Sequence, residues 1–194
     1  MLSTISNSLS IKLLLLLLIA DFLSGLFHWI EDAYITEFSR YKFIRDIGIH
    51  NKHHHRNPSA ILDKSWFNNI KTTLLLTVPC MSLLFAAEFY TGRSFAFFNG
   101  VLLLLSFANL IHKWSHAGPN APYPVKLLHR LKILQTSKHH KIHHKSAILS
   151  PPVPGQHFCL LSNILNPVLE YISFWRFLET IVYLTSGHLP IYGL

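Results

Sequence analysis

Charge is scarce in this sequence: Asp, Glu, Lys and Arg together make up 13% of its 194 residues, about half the usual share of a soluble domain. Acids are scarcer still, nine against seventeen Lys and Arg, and none stands in the Glu-x-x-His arrangement that carboxylate-bridged di-metal bundles use. There are two cysteines, Cys80 and Cys159, too few for a disulfide framework or a Cys-type zinc site. No Gly-rich nucleotide fingerprint follows a strand pattern, and no Cys pair offers a haem attachment. Internal repeats, linkers and low-complexity segments are missing apart from one leucine tract. A disordered chain, a coiled coil, a disulfide scaffold and an ordinary soluble domain are excluded.

Apolar residues are abundant, 50% of the chain with a mean hydropathy of +0.31, and they are clumped into three runs long enough to span a bilayer. The first covers about 9–27, with Leu13 to Ile19 unbroken and Asp21 interrupting it. The second covers about 70–90, with Pro79 as an expected kink, and the third about 95–111. Thr91-Gly92-Arg93-Ser94 between them reads as a tight hairpin. A stretch over about 158–184 carries Asn163, Asn166, Glu170, Arg176 and Glu179, too polar to span, and is expected to be interfacial or re-entrant. The pattern predicts an all-α integral membrane protein, one domain over 1–194 with about three transmembrane helices plus interfacial helices. Lys12 alone makes a poor signal-peptide n-region and no clean cleavage site precedes His28, so the first run is expected to stay as a helix. A carboxylate inside an apolar run is costly unless it pairs or lines a cavity, which makes Asp21 a functional candidate.

Three spans place Lys12 and Arg93 on one side and every other Lys and Arg on the opposite side. The positive-inside rule predicts that the second side is cytoplasmic. A formal charge of +8 suits an anionic membrane face or a nucleic acid; the hydropathy favours the membrane, so no nucleic-acid partner is expected. Trp29 and Trp114 read as interfacial anchors on the same grounds.

The same side collects the histidines, of which there are fourteen. Ten fall in four groups: His28, followed by Asp32; His53, His54 and His55; His112 and His116; and His139, His140, His143 and His144. Residues four apart share a helix face, so His112/His116, His139/His143 and His140/His144 each offer two imidazoles to an ion. Imidazole suits zinc, copper, iron and nickel alike, and a zinc hydrolase, a metal carrier and a headgroup-binding basic patch are all compatible with residue type alone. The number decides further. A zinc hydrolase needs about three protein ligands, whereas eight or nine clustered histidines are enough for two six-coordinate irons. Such a site beside apolar helices fits oxidation of an unactivated C–H bond in a lipid chain.

Four motifs in order, His28-Trp29-x-x-Asp32, His54-His55-x-x-Pro58, His112-Lys113-Trp114-Ser115-His116 and His139-His140-x-x-His143-His144, are followed by Phe158-Cys159, Leu165-Asn166-Pro167 and Phe174-Trp175-Arg176-x-Leu178-Glu179. Together they resemble the plasmanylethanolamine desaturase family, which also takes in a plant plastid desaturase. The resemblance implies a membrane-embedded lipid desaturase that uses two iron ions and O2. In well-known members the 1-O-alkyl chain of a plasmanyl phospholipid becomes a vinyl ether. It further implies His28, His54, His55, His112, His116, His139, His140, His143 and His144 as iron ligands. Asp32 matches the family's acid and is the expected catalytic carboxylate, with orientation of His28 ranked first among its roles, ahead of metal ligation and proton relay. Acyl-chain desaturation of another phospholipid is one alternative, and a non-enzymatic membrane metal-binding or transport protein the other. Electrons are expected from a partner such as cytochrome b5 or a ferredoxin, because the chain lacks its own nucleotide or haem site. The sequence departs from the pattern in a longer connection from Lys145 to Gln156, with Pro151, Pro152 and Pro154, and in His157; His50, His53 and His157 are open as neighbours of the site.

Overall fold

The computed structural model describes residues 2–148 and 156–192, so the Pro151, Pro152 and Pro154 connection lies outside the described residues. Helices carry the described fold, and it has no strand. The first, α1 (Leu2–Tyr34), contains the leucine tract and continues through His28 and Asp32. It is followed by α2 (Lys42–Arg56), a polar helix carrying His54 and His55, and by a short 3-10 turn over Pro58–Asp63. Next come α3 (Trp66–Thr91) and α4 (Ala96–Ser106). Ser65 opens α3 by accepting from the Asn68 N–H, and helix continues through Pro79. Gly92, at φ +64°, closes it in the left-handed conformation that glycine adopts without a Cβ penalty, which turns the chain back into α4.

The third apolar run is divided. It ends as α4, pauses at Phe107 and resumes as α5 (Ala108–Ala117), which carries His112 and His116. Three helical stretches, Leu9–Tyr34, Trp66–Thr91 and Ala96–Asn120, are long and apolar enough to cross a membrane. The first two expose most of their surface, as lipid-facing helices do, with Leu75, Leu83 and Phe89 among the exposed side chains. Where α3 meets α4, Thr77 and Ser106 share a hydrogen bond of 2.7 Å and Thr73 donates to the Ser106 carbonyl. Such small polar contacts join helices where lipid is as apolar as leucine.

Beyond α5 lie α6 (Tyr123–Arg130), α7 (Ser137–Ile148), α8 (Leu165–Tyr171) and α9 (Phe174–Ser186). Two apolar cores join these to the spans. Ala20, Val101, Leu105, Ala108, Ile111 and Leu161 form one, and Trp29, Ala33, Phe158, Cys159, Leu169 and Trp175 the other. Trp29 is therefore a packing residue and not an interfacial anchor, buried and stacked on Trp175 with ring centroids 6.0 Å apart, while the half-buried Trp114 packs one side on the first core. For Trp29 the interfacial expectation failed because an aromatic at a span end looks the same in sequence whether lipid or a returning loop covers it.

The returning loop is residues 156–164, irregular yet buried from Phe158 to Ser162. Buried backbone must find partners, and here side chains supply them. Asp21 accepts from the backbone N–H of Leu161 (2.8 Å) and Ser162 (3.2 Å) and from the Ser162 hydroxyl (2.6 Å). Ser24 accepts from Leu160 N–H, Asn166 brackets Cys159 at both its N–H and its carbonyl, and Gln135 donates to the same carbonyl. Asp21 thus spends its charge on loop backbone, which explains a carboxylate in the middle of an apolar run. Gly25 lets the loop lie against α1: a Cβ there would sit 2.6 Å from Cys159 Sγ and 3.1 Å from its backbone.

Candidate metal centre

Helices α1, α2, α5 and α7 bring their histidines to one end of the bundle. A helix turns about 100° per residue, so adjacent histidines on one helix point to different places, while His112/His116 and His140/His144 point together. The result is two groups of donors. His54, His112, His116, His140 and His144 form the first, and His28, Asp32, His55 and His143 the second. Helices α2 and α7 contribute to both, and the groups adjoin, with the His55 and His144 rings 5.0 Å apart and those of His143 and His144 5.4 Å apart.

In the first group the Nε2 atoms converge. His112 lies 2.8 Å from His140 and 3.1 Å from both His54 and His116, while His144 lies 3.0 Å from His140 and 3.2 Å from His116. A metal–imidazole bond of about 2.1 Å separates neighbouring ligand atoms by about 3.0 Å in a six-coordinate shell and about 3.4 Å in a tetrahedron. The observed separations match the crowded shell. Five imidazoles aimed at one point have no mutual hydrogen-bond pattern that satisfies them all, whereas a cation does. Burial, followed by the charge of neighbouring histidines, holds His54 and His140 well below the ordinary imidazole range and His144 down to about 2. They are held in the neutral form that binds metal.

The second group is built around Asp32. Its Oδ1 lies 3.0 Å from His55 Nε2, and its Oδ2 lies 3.3 Å from His143 Nε2 and 3.7 Å from His28 Nε2. Burial alone would lower His55, but the Asp32 carboxylate beside it raises it above the ordinary value. Asn51, one turn before His55, donates to Oδ1 at 2.7 Å. Sequence reasoning missed Asn51, although its four-residue spacing from His55 was a usable signal.

Outer partners differ between the groups. His28 Nδ1 lies 3.0 Å from the Phe158 carbonyl and His143 Nδ1 2.8 Å from the Gln156 carbonyl. A carbonyl only accepts, so each Nδ1 carries the proton and each Nε2 is left to face Asp32 and an ion. The Nδ1 partner of His28 is thus Phe158, and Asp32 stands on the Nε2 side of the ring, among His55 and His143. The Nδ1 atoms of His140 and His144 in the first group, and of His55 in the second, are buried without a protein partner.

His139 joins neither group. Its Nε2 meets His157 Nδ1 at 2.9 Å, and the His157 N–H donates to Glu170. His157 has φ +58°, so the chain bends sharply there as it enters the buried loop. Burial and the neighbouring His139 hold His157 down to about 4. His50 pairs with Lys64, and His53 and His188 are exposed. The Cys159 thiol is buried, which pushes its ionisation well up and leaves it a packing group.

Comparison with known proteins gives the same direction. The lipid desaturase domain family matches residues 17–192. Plasmanylethanolamine desaturase 1 of Mus musculus is 31% identical over 187 residues, covering 89% of this chain and 64% of that protein. Fatty acid desaturase 4-like 2, chloroplastic, of Arabidopsis thaliana is 25% identical, covering 89% and 59%. The plasmanylethanolamine desaturase of Myxococcus xanthus is 26% identical, covering 89% and 60%. The chain therefore spans about three fifths of the length of these relatives. No solved structure matches. With all four histidine motifs inside the matched residues, the chain belongs to the lipid desaturase domain family.

Proposed function

We propose that this protein is an O2-dependent membrane lipid desaturase acting on the 1-O-alkyl chain of a plasmanyl phospholipid, with two irons at the paired donor groups. The observation that carries this reading is the pair itself: five imidazoles beside three imidazoles and a carboxylate, at the end of three apolar helices. The names of the mouse and Myxococcus relatives favour the ether substrate. His54, His112, His116, His140 and His144 would hold one ion, and His28, Asp32, His55 and His143 the other; His139 is left out of the set.

Two irons held by these residues would supply the redox chemistry by which O2, two electrons and two protons take two hydrogens from adjacent chain carbons, leaving a vinyl ether and two waters. The chain's own residues do the rest. Asp32 adds the negative charge that eight neutral imidazoles lack and keeps the three imidazoles of its group turned inward. The Phe158 and Gln156 carbonyls fix which ring nitrogen of His28 and His143 is free. Burial of the donors keeps bulk water from the reacting carbons. Lysines and arginines around this end face the headgroup region, the side we assign to the cytoplasm, and suit an acidic electron donor such as cytochrome b5 or a ferredoxin.

Cells making this protein and fed a 1-O-alkylglycerol are expected to accumulate acid-labile vinyl ethers by lipid mass spectrometry, and to lose them with His144→Ala. If folded, iron-loaded protein produces none, the ether substrate is rejected. New acyl-chain double bonds in the same extracts would then identify an acyl desaturase.

A further inference from the structure

The two donor groups are supported differently from behind. Both imidazoles whose Nδ1 is given to a backbone carbonyl, His28 and His143, belong to the second group, and both carbonyls belong to the buried loop that begins at Gln156. That loop has few regular backbone hydrogen bonds of its own. Its fixed point on α1 is Asp21, which takes three donors from Leu161 and Ser162, helped by Ser24 one turn later. Asp21 and His28 are seven residues apart on one helix, about 10 Å or two turns along the same face. The loop and α1 therefore form a closed bracket: Asp21 ties one end of 158–162 to the helix, and His28 ties the other to the same helix through Phe158. Nothing in this bracket touches the ring nitrogens of the first group. Unpartnered buried Nδ1 atoms occur in both groups, on His140 and His144 in the first and on His55 in the second, so the difference lies in the two carbonyls that hold His28 and His143.

We propose that the two metal positions are unequal, and that Asp21 is a positioning residue for the His28–Asp32–His55–His143 position alone. It acts through the 158–162 loop and the carbonyl it presents to His28. The inference rests on the paired-metal reading above. Outer partners that orient a ligating histidine typically change metal affinity by about 10- to 100-fold when removed, and the bracket concentrates that effect on one of two neighbouring ions. Asp21→Asn removes the charge and replaces one accepting oxygen with an NH2 that faces donors. The loop end should loosen, and the Phe158 carbonyl with it.

The test uses the full chain, purified in detergent, stripped of metal and titrated with Co2+, following stoichiometry by elemental analysis and site geometry by visible absorption. The unaltered protein is expected to bind two ions. In Asp21→Asn, one ion should weaken by about 10- to 100-fold while the other stays within about twofold, and only one set of absorption bands should shift. Ser162→Ala, which removes just the 2.6 Å hydroxyl contact to Asp21, should weaken the same ion to a smaller degree, and it decides the question if Asp21→Asn does not fold. Equal weakening of both ions, as a general loss of structure would cause, overturns the proposal, as does unchanged binding of both in the folded variants. Binding of a single ion by the unaltered protein overturns the paired-metal reading instead, a result distinct from either.

Discussion

At the scale of single residues, the four-residue spacing of histidines gives two overlapping solutions on α7, His139 with His143 and His140 with His144. The fold uses only the second of these as a pair facing one group. His139 turns instead to His157, outside both sets of donors. Removal of each imidazole separates ligand from neighbour. His140→Ala is expected to lower metal affinity by more than about 100-fold, exceeding the effect of losing an outer partner, and to abolish desaturation. His139→Ala should keep the full metal complement, read by elemental analysis of the purified protein. A loss of metal in His139→Ala matching that of His140→Ala would restore His139 to the ligand set. Spacing alone could not make this choice, because both pairs obey the same helical rule and only the approach of α2 and α5 selects between them.

At the scale of elements, the site depends on how closely the buried loop lies on α1. Gly25 permits that approach, and Gly100 permits the packing of α4 on α1. The obstacles they avoid differ in kind. A Cβ at position 25 meets Cys159 Sγ and backbone, held by Asn166 and Gln135, while a Cβ at position 100 meets only side-chain atoms of Leu16, Cδ1 at 2.6 Å, the tip of a half-buried leucine and not backbone. Gly25→Ala should therefore cost about 1–3 kcal/mol, the usual range for overpacking, and Gly100→Ala distinctly less, both measured as thermal unfolding shifts in detergent. Equal shifts would mean that the loop gives way as easily as a leucine. The spanning runs, the all-helical class and the histidine helices were legible in the sequence because each depends on composition or local period. The loop was legible only as the start of a weakly apolar stretch, expected to be interfacial or re-entrant. Its structure rests on side chains more than a hundred residues away, Asp21, Ser24 and His28, and no local pattern encodes such contacts. The break at Phe107 escaped notice for a related reason: residues 95–111 are apolar apart from Asn99, Ser106 and Asn109, all compatible with a continuous helix, and have no Gly or Pro beyond Gly100 to mark it.

At the scale of the whole molecule, charge and chemistry are segregated along one axis. Of seventeen Lys and Arg, all but Lys12 and Arg93 lie toward the end that carries the two donor groups. Arg93 sits in the turn between α3 and α4, at the far end. Translocating a positively charged connection is disfavoured, and the bias is counted over short loops near the span ends, which here include α2, the turn before α3, and the residues after α5. The donor groups should then lie on the cytoplasmic face, where a soluble or membrane-bound reductase partner can reach them, and the α3–α4 turn on the other. A membrane-impermeant maleimide added to intact cells is expected to label Arg93→Cys and to leave Lys132→Cys unlabelled until the membrane is opened. Residue 93 is exposed, and residue 132 belongs to the turn after α6, so both report sidedness and not burial. Cys159 is buried and Cys80 lies inside a span, which keeps the background low. Labelling of Lys132→Cys in intact cells would reverse the orientation and put the oxidation chemistry beyond the reach of cytoplasmic electron donors.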